Sequence, residues 1–339
     1  MNQESIKRGI LAGIIGRYTA EIADDPERSI RKLVDLAERT SDGPTQKICY
    51  QMMQKMAANQ SSPYYEMIHR LVTHVSPATI REFGINLGHN AWTFGSGHMR
   101  MLTENHGLAI PWTVLIDRTD RPGRIPFAEI RDLVKRGREM EIYAWLLIAG
   151  DSAGEWDDWA ELFRACKDSV FGLCIDPGVM PAEILEEAAE IPNLMILVNT
   201  DGGDWQEFAE KLSEKHCLFS ACKTVSSEET AGEVLNGSWF EELVPYHPLI
   251  AFTVISDDCP QETAEKVSRY MWNTRLEQTY PVLPSDLISD FLIISRLVSH
   301  KEVLYRIETD SSVSEGEGFR FRPGNWRCES LFKPAGTGD

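Results

Sequence analysis

A chain of 339 residues with 42% hydrophobic and 25% charged residues has the composition of a folded protein, large enough for two domains or for one barrel with an extension. Its 34 Lys and Arg against 52 Asp and Glu leave a formal charge of −18, which repels polyanions and argues against a nucleic acid partner. No stretch reaches the roughly 18 apolar residues of a membrane span, and the first residues are too polar for a signal peptide. Seven cysteines at irregular spacings indicate reduced thiols. We therefore expect no membrane partner and a cytoplasmic location.

The first hundred residues carry the apolar spacing of helices. In the segment IRKLVDLA, apolar residues recur every three or four positions, which is typical of a helix with one buried face. The pairs Asp25–Pro26 and Ser76–Pro77 place proline after a capping residue, as at the first turn of a helix. These patterns predict an N-terminal α-helical domain over residues 1–105.

From about residue 108 the pattern changes to short apolar strands that alternate with helices. Strands are predicted near 111–117, 142–149, 169–175, 193–199, 217–224 and 248–255, with helices over 126–140, 155–166, 180–190, 203–215, 226–243 and 260–277. Six successive βα units predict an α/β fold with parallel strands. Their similar lengths favour curling into a partial (β/α)6 TIM-like barrel over residues 106–309.

After residue 280 this alternation weakens. Residues 281–298 predict a helix, and residues 300–309 predict one last strand. The end of the chain, residues 310–339, is rich in Gly, Ser and Pro and predicts a surface tail. It carries a basic, aromatic group of residues, which could dock onto the acidic body or bind a partner: Arg320, Arg322, Trp326 and Arg327.

Several of the predicted strands end at an aspartate: Asp117, Asp151, Asp176, Asp201 and Asp257. Because the carboxyl ends of parallel strands share one edge, these side chains are expected at the mouth of the barrel. Carboxylates that converge there could bind Mg²⁺ or Mn²⁺. The alternative is that they are turn and helix-capping residues, a common use of aspartate after a strand.

Basic residues accompany these acids. Arg118, Arg121 and Arg124 lie in the loop after the first strand, where they could form ion pairs with the acids or take an anion. Lys223, on the fifth strand, could supply a Schiff-base amine or pair with an acid.

The stretch from Ile110 to Asp151 resembles the opening of the radical S-adenosylmethionine superfamily barrel. It reads IPWTVLID, a short loop, IPFAEIRDLVKRGREMEI and then YAWLLIAGD. The resemblance implies a loop with the motif CxxxCxxC, which holds a [4Fe–4S] cluster, and a Gly-Gly-Glu-type motif that receives the amino group of S-adenosylmethionine. Ala149, Gly150 and Asp151 match the second motif in part. Gly150 and Asp151 are therefore the candidate residues of a vestigial S-adenosylmethionine site.

The loop after the first strand departs from that family. Residues 118–125 read RTDRPGRI and contain no cysteine, and these side chains cannot replace the thiolates of an iron–sulfur cluster. We therefore expect no [4Fe–4S] cluster and no catalysis by the family's mechanism. The leading hypothesis is a radical SAM-like pseudoenzyme that acts by protein–protein interaction, as a scaffold or substrate-presenting subunit for a cluster-bearing paralogue, or as a homo-oligomer. The alternative is a cluster-free lyase or hydrolase whose divalent cation is held by Asp117, Asp151, Asp176 and Asp201.

Overall fold

The computed structural model describes residues 3–40, 53–106, 110–119, 124–150, 155–177, 182–307, 312–317 and 320–327. Its first part is helical, as predicted: α1 (Gln3–Asp24), α2 (Pro26–Thr40), α3 (Tyr64–His74), α4 (Pro77–Ile85), a π-helix (Asn86–Phe94) and α5 (Gly95–His106). Residues 53–57 are also helical. No helix in these ranges is long and apolar enough to cross a membrane.

Side chains cap two of these helices where the sequence indicated. The Asp25 carboxylate accepts a hydrogen bond from the Arg28 N–H (3.2 Å), and the Ser76 hydroxyl accepts one from the Thr79 N–H (3.1 Å). Each bond satisfies one of the N–H groups that a helix start leaves without a partner. The predicted starts of α2 and α4 are thus confirmed.

Strands and helices alternate through the rest of the chain. The strands are β1 (Thr113–Asp117), β2 (Ala144–Gly150), β3 (Val170–Ile175), β4 (Leu194–Asn199), β5 (Phe219–Val225), β6 (Ile250–Ile255), β7 (Leu283–Asp286) and β8 (Tyr305–Ile307). The helices between them are α6 (Phe127–Glu139), α7 (Trp156–Ala165), α8 (Ala182–Ala189), α9 (Trp205–Glu214), α10 (Glu228–Leu235), α11 (Ser238–Leu243), α12 (Gln261–Glu277) and α13 (Leu287–Ser299).

The sheet order is β8–β1–β2–β3–β4–β5–β6–β7, and these eight strands run parallel. Two more strands, β9 (Ser312–Glu317) and β10 (Arg320–Arg327), continue it antiparallel beyond β8. The predicted class, an α/β partial TIM-like barrel with N-terminal helices, is confirmed by this order. The number of parallel strands is eight, two more than the six of the predicted (β/α)6 series.

The single helix predicted over residues 281–298 is wrong at its start. Leu283–Asp286 forms β7, which pairs with β6 and lies at the end of the described strand order, and α13 begins at Leu287. Pro284 cannot donate to a strand ladder, but an edge strand tolerates it. The helix predicted over 226–243 is also interrupted, because Gly237 has a φ of 84° between α10 and α11.

Contacts between residues divide the chain into two compact units, each made of two separate segments. Unit 1 comprises Met1–Glu82 and Val198–Leu287, and unit 2 comprises Phe83–Leu197 and Ile288–Asp339. The predicted linear boundaries, 1–105, 106–309 and 310–339, stay a prediction. Within unit 2, the ring of Trp159 packs edge-on against Phe127 and stacks on Phe163, which contacts Phe171 of β3. This aromatic core seats α6 and α7 on the sheet.

Candidate functional site

Asp117, the last residue of β1, is buried and fully engaged by its own chain. One carboxylate oxygen accepts hydrogen bonds from the Thr119 N–H (3.1 Å) and hydroxyl (3.0 Å). The other accepts a bond from Arg306 Nη2 at 2.9 Å. Arg306 lies on β8, the parallel neighbour of β1. The carboxylate is thus held by a turn on one side and by a guanidinium on the other.

Arg118 and Arg124, in the loop after β1, both bind Glu155, the residue before α7. The Arg118 guanidinium makes a two-point contact with the Glu155 carboxylate, with Nη2 to Oε1 at 3.1 Å, and Arg124 Nη2 lies 2.7 Å from Oε1. The Nε of Arg118 donates to the Ile125 carbonyl (3.0 Å), and its guanidinium lies 5.4 Å from the centre of the Phe127 ring. Ion pairing, one of the two predicted roles of these arginines, is therefore what the structure has, with Glu155 as the acid.

In unit 1, the charged residues at the carboxyl ends of the strands also bind neighbouring groups. Lys223, buried on β5, lies 2.7 Å from Glu233 of α10, so its amine is an ion-pair partner. Asp201 is exposed after β4, and its two oxygens both lie 3.1 Å from the Thr224 N–H of β5. Asp201 therefore satisfies a backbone group at a strand end, the turn-type role weighed for it from the sequence.

The remaining predicted residues lie at or after the ends of β2, β3 and β6, or in the loop after β1. Asp176 is half-buried directly after β3, and Asp257 is exposed after β6. Gly150 is the last residue of β2, where the register with β3 shifts between Ile148 and Gly150. Asp151 and Arg121 lie outside the described residues. The S-adenosylmethionine contact of Gly150 and Asp151 and the four-aspartate cation site therefore stay predictions.

Sequence reasoning missed three charged residues at these strand ends. Glu155 and Arg306 are the partners just described, and Asp286 is buried at the end of β7, where it accepts a hydrogen bond from the Ser268 hydroxyl. Asp286 carries the same signal as the other aspartates, an acid directly after a strand, but β7 itself was not predicted. No local pattern marks Glu155 or Arg306.

Five cysteines in the described part of the chain are reduced thiols: Cys166, Cys174, Cys217, Cys222 and Cys259. The described residues contain no group of three or more His, Cys, Asp or Glu placed to hold a metal ion, and the absence of a [4Fe–4S] cluster stays a prediction. Burial raises the pKa of Cys166 and of Cys259, and it raises the pKa of Cys217 to about 12. These cysteines are therefore protonated thiols at neutral pH.

The chain matches no protein-family model and no curated protein. Among solved structures it is similar to SuiB of Streptococcus suis, which was crystallised bound to S-adenosylmethionine. The identity is 10%, the match covers 63% of this chain and 60% of the SuiB chain, and the TM-score is 0.42. The chain thus spans less than two thirds of SuiB, and the fold class rests on the strand order and not on this likeness.

Proposed function

We propose that this chain is a radical S-adenosylmethionine-like partial barrel that has lost the cluster site and acts as a non-catalytic subunit for a cluster-bearing enzyme. One observation carries the proposal. At the end of β1 and in the residues after it, where the resemblance calls for the cluster, charged side chains form ion pairs with residues elsewhere in the chain: Arg118 and Arg124 with Glu155, and Asp117 with Arg306.

These ion pairs disfavour catalytic roles for the same residues. A cation that approached Asp117 would have to displace Arg306 at 2.9 Å and would meet the charges of Arg118 and Arg124 nearby. Removing one partner of a partly buried pair leaves an uncompensated charge, which costs several kcal/mol, on the order of 3–5 for a fully buried pair. Such pairs hold the side chains of Asp117, Arg118 and Arg124 in place, which suits a binding surface better than a reaction site.

The partner class follows from the sequence resemblance and from the chain's composition. A protein that keeps the barrel pattern without the cysteines can present substrate or scaffold for a paralogue that keeps them. The charge of −18 directs it towards a protein partner and away from nucleic acid, and its cysteines suit the reducing cytoplasm in which iron–sulfur enzymes work.

Anaerobic reconstitution of the full chain with iron and sulfide tests the first half of the proposal. We expect no stoichiometric [4Fe–4S] absorbance and no cleavage of added S-adenosylmethionine. Mn²⁺ binding by the same preparation, compared between the native chain, Asp176→Asn and the surface control Asp132→Asn, tests the cation-enzyme alternative. Stoichiometric Mn²⁺ that only Asp176→Asn abolishes, or an active cluster, would overturn the non-catalytic assignment.

Co-expression with a cluster-bearing radical S-adenosylmethionine protein from the same genome tests the second half. A one-to-one complex in size-exclusion chromatography, and a partner whose turnover of substrate rises on addition of this chain, are the expected results. If the chain elutes only as a homo-oligomer and leaves the partner's turnover unchanged, the subunit role is wrong.

A further inference from the structure

A cavity of about 40 Å³ lies within unit 1, at the amino ends of β5, β6 and β7 and therefore away from the strand ends described above. One wall is a single face of α3, formed by Met67, Arg70, Leu71 and His74 at the spacing i, i+3, i+4 and i+7. The other walls come from the segments that lead into the three strands. One water needs about 10–15 Å³ of such a cavity, so this cavity has room for roughly three waters.

The cavity has an apolar interior and a basic rim. Leu71 and Phe219 are among the apolar residues of the lining, and the imidazoles of His74, His216 and His247 are exposed to solvent beside the guanidinium of Arg70. Three of the eight histidines of the chain thus meet at one opening, in a protein whose net charge is −18. The rim of the cavity is therefore rich in groups that carry or can gain a positive charge, whereas the protein as a whole has a large negative charge.

His216 occupies a backbone position that favours glycine. It follows the end of α9 with a φ of 60°, its N–H donates to the Ser213 carbonyl (3.0 Å), and the next N–H, of Cys217, donates to the Leu212 carbonyl (3.0 Å). This is the Schellman arrangement at a helix end, in which glycine is the usual residue because a side chain there costs about 1 kcal/mol. Its Nδ1–H donates to the His74 carbonyl at 2.7 Å, so in the neutral ring the lone pair is on Nε2.

His247 shows the same backbone conformation on the opposite side of the opening, with a φ of 61°. Arg70 Nη1 contacts both ring nitrogens of His247, Nδ1 and Nε2, the latter at 2.9 Å. Because a guanidinium only donates, a ring nitrogen of His247 accepts this bond. Arg70 is oriented by Glu66 through an ion pair of 2.5 Å. Partial burial of the ring and, to a smaller extent, the positive charge of Arg70 lower the pKa of His247. Both histidines thus have the left-handed backbone conformation, and with Arg70 they form the rim of the cavity.

We propose that this cavity binds a short-chain carboxylate, with its alkyl end among the apolar side chains and its carboxylate on Arg70 and the histidine rim. The five N–H groups of a guanidinium exceed what Glu66 and His247 use, which leaves donors for an anion. A cation is disfavoured beside Arg70. An inorganic oxyanion matches the rim but not the apolar interior, because it would leave oxygens there without hydrogen bonds.

The charged groups of α3 beside the opening are Arg70 and its ion-pair partner Glu66. Glu66 opposes an anion, and the guanidinium of Arg70 offsets that charge and keeps further N–H donors.

Calorimetric titration of the full chain with propionate at pH 6 tests the inference. We expect saturable binding of propionate and no binding of propionamide, which has the same shape without the charge. Arg70→Gln should weaken binding about tenfold. Arg17→Gln, which removes an exposed arginine that is likewise paired four residues along a helix, is the matched control.

A second variant protects the test against misfolding. Leu71→Phe fills the cavity and leaves the basic rim in place, so it should abolish propionate binding while circular dichroism stays native. Equal binding of propionamide, or of propionate by the native chain and both cavity variants, would overturn the site, as would the absence of binding at pH 6. Tighter binding of phosphate than of propionate would overturn the carboxylate class. The outcome does not depend on whether the chain partners a cluster-bearing enzyme.

Discussion

Arg118, the first residue after β1, contacts residues at the starts of α6 and α7. Only 5% of its side chain is exposed, and its guanidinium contacts three groups: the Glu155 carboxylate, the Ile125 carbonyl and the Phe127 ring. Its own N–H donates to the Ile148 carbonyl at 2.8 Å, which extends the pairing of β1 with β2 by one residue. A buried guanidinium needs this many partners, because a charge removed from water is stable only when its hydrogen bonds are replaced.

We therefore expect Arg118→Ala to lower the free energy of unfolding by about 2–4 kcal/mol, somewhat below the range for fully buried pairs because 25% of the Glu155 side chain is exposed. Urea denaturation at pH 7 measures the change. Arg131→Ala is the control, since its side chain is 40% exposed and pairs with Asp158 and Glu161 on the surface, where such pairs contribute less than about 1 kcal/mol. Equal losses in the two variants would contradict the central place of Arg118.

What the sequence reveals at this scale depends on how far apart the partners lie along the chain. Asp25 and Ser76 were predicted as caps because their partners are three residues away. Arg118 and Glu155 are 37 residues apart, and Asp117 and Arg306 are 189 apart. The sequence indicated that Arg118 and Arg124 would need acids, but only the fold brings Glu155 to them.

At the scale of elements, the link between α7 and α8 shows how one carboxylate joins two helices. Glu187 of α8 accepts hydrogen bonds from the Trp156 indole N–H (2.6 Å) and from Arg164 Nη2 (2.6 Å), at the two ends of α7. Both bonds lower the pKa of Glu187, and the bond from Trp156 has the larger effect. Partial burial raises this pKa, but by less. The ionised form is thus the one that the folded protein favours.

The lowered pKa of Glu187 determines how the stability of the protein should change with pH. A carboxylate whose pKa is lower in the folded than in the unfolded state contributes its stability above the unfolded value, about 4.3, and loses it as the pH falls through the folded value. Glu187→Gln should therefore lower the urea midpoint at pH 7. The difference from the native chain should shrink as the pH falls below about 4. A difference that stays constant down to pH 3 would show that shape and not charge joins the two helices.

Elements with clear periodicity were predicted well. The observed bounds of β1 to β6 lie within two residues of the prediction, because each is a short apolar run between polar turns. The π-helix at Asn86–Phe94 was not predicted. Its buried Asn86 and Asn90 donate to the carbonyls of Lys167 and Asp168, in the turn before β3, and such distant partners leave no periodic signal. β7 was missed because it is short and contains Pro284.

At the scale of the whole molecule, two opposing electrostatic effects are present. The described residues contain many ion pairs, and most of them are exposed, such as Lys211 with Glu207 and Lys266 with Glu262. Each exposed pair contributes less than about 1 kcal/mol. The excess of 52 acidic over 34 basic residues acts in the other direction, because the surplus acids repel one another in the folded state.

Because the surplus is large and the exposed pairs are weak, we expect the net repulsion to dominate. Salt shortens the range of charge interactions from about 30 Å at 0.01 M to about 10 Å at 0.1 M, so it screens distant repulsion more than pairs in contact. Raising NaCl from about 0.01 to 0.2 M at pH 7 should therefore raise the urea midpoint. At pH 5, where some carboxylates are protonated and the surplus is smaller, the same salt step should have a smaller effect. A midpoint that falls with salt at pH 7 would mean that the ion pairs, led by the buried contact of Arg118 with Glu155, outweigh the repulsion of the whole chain.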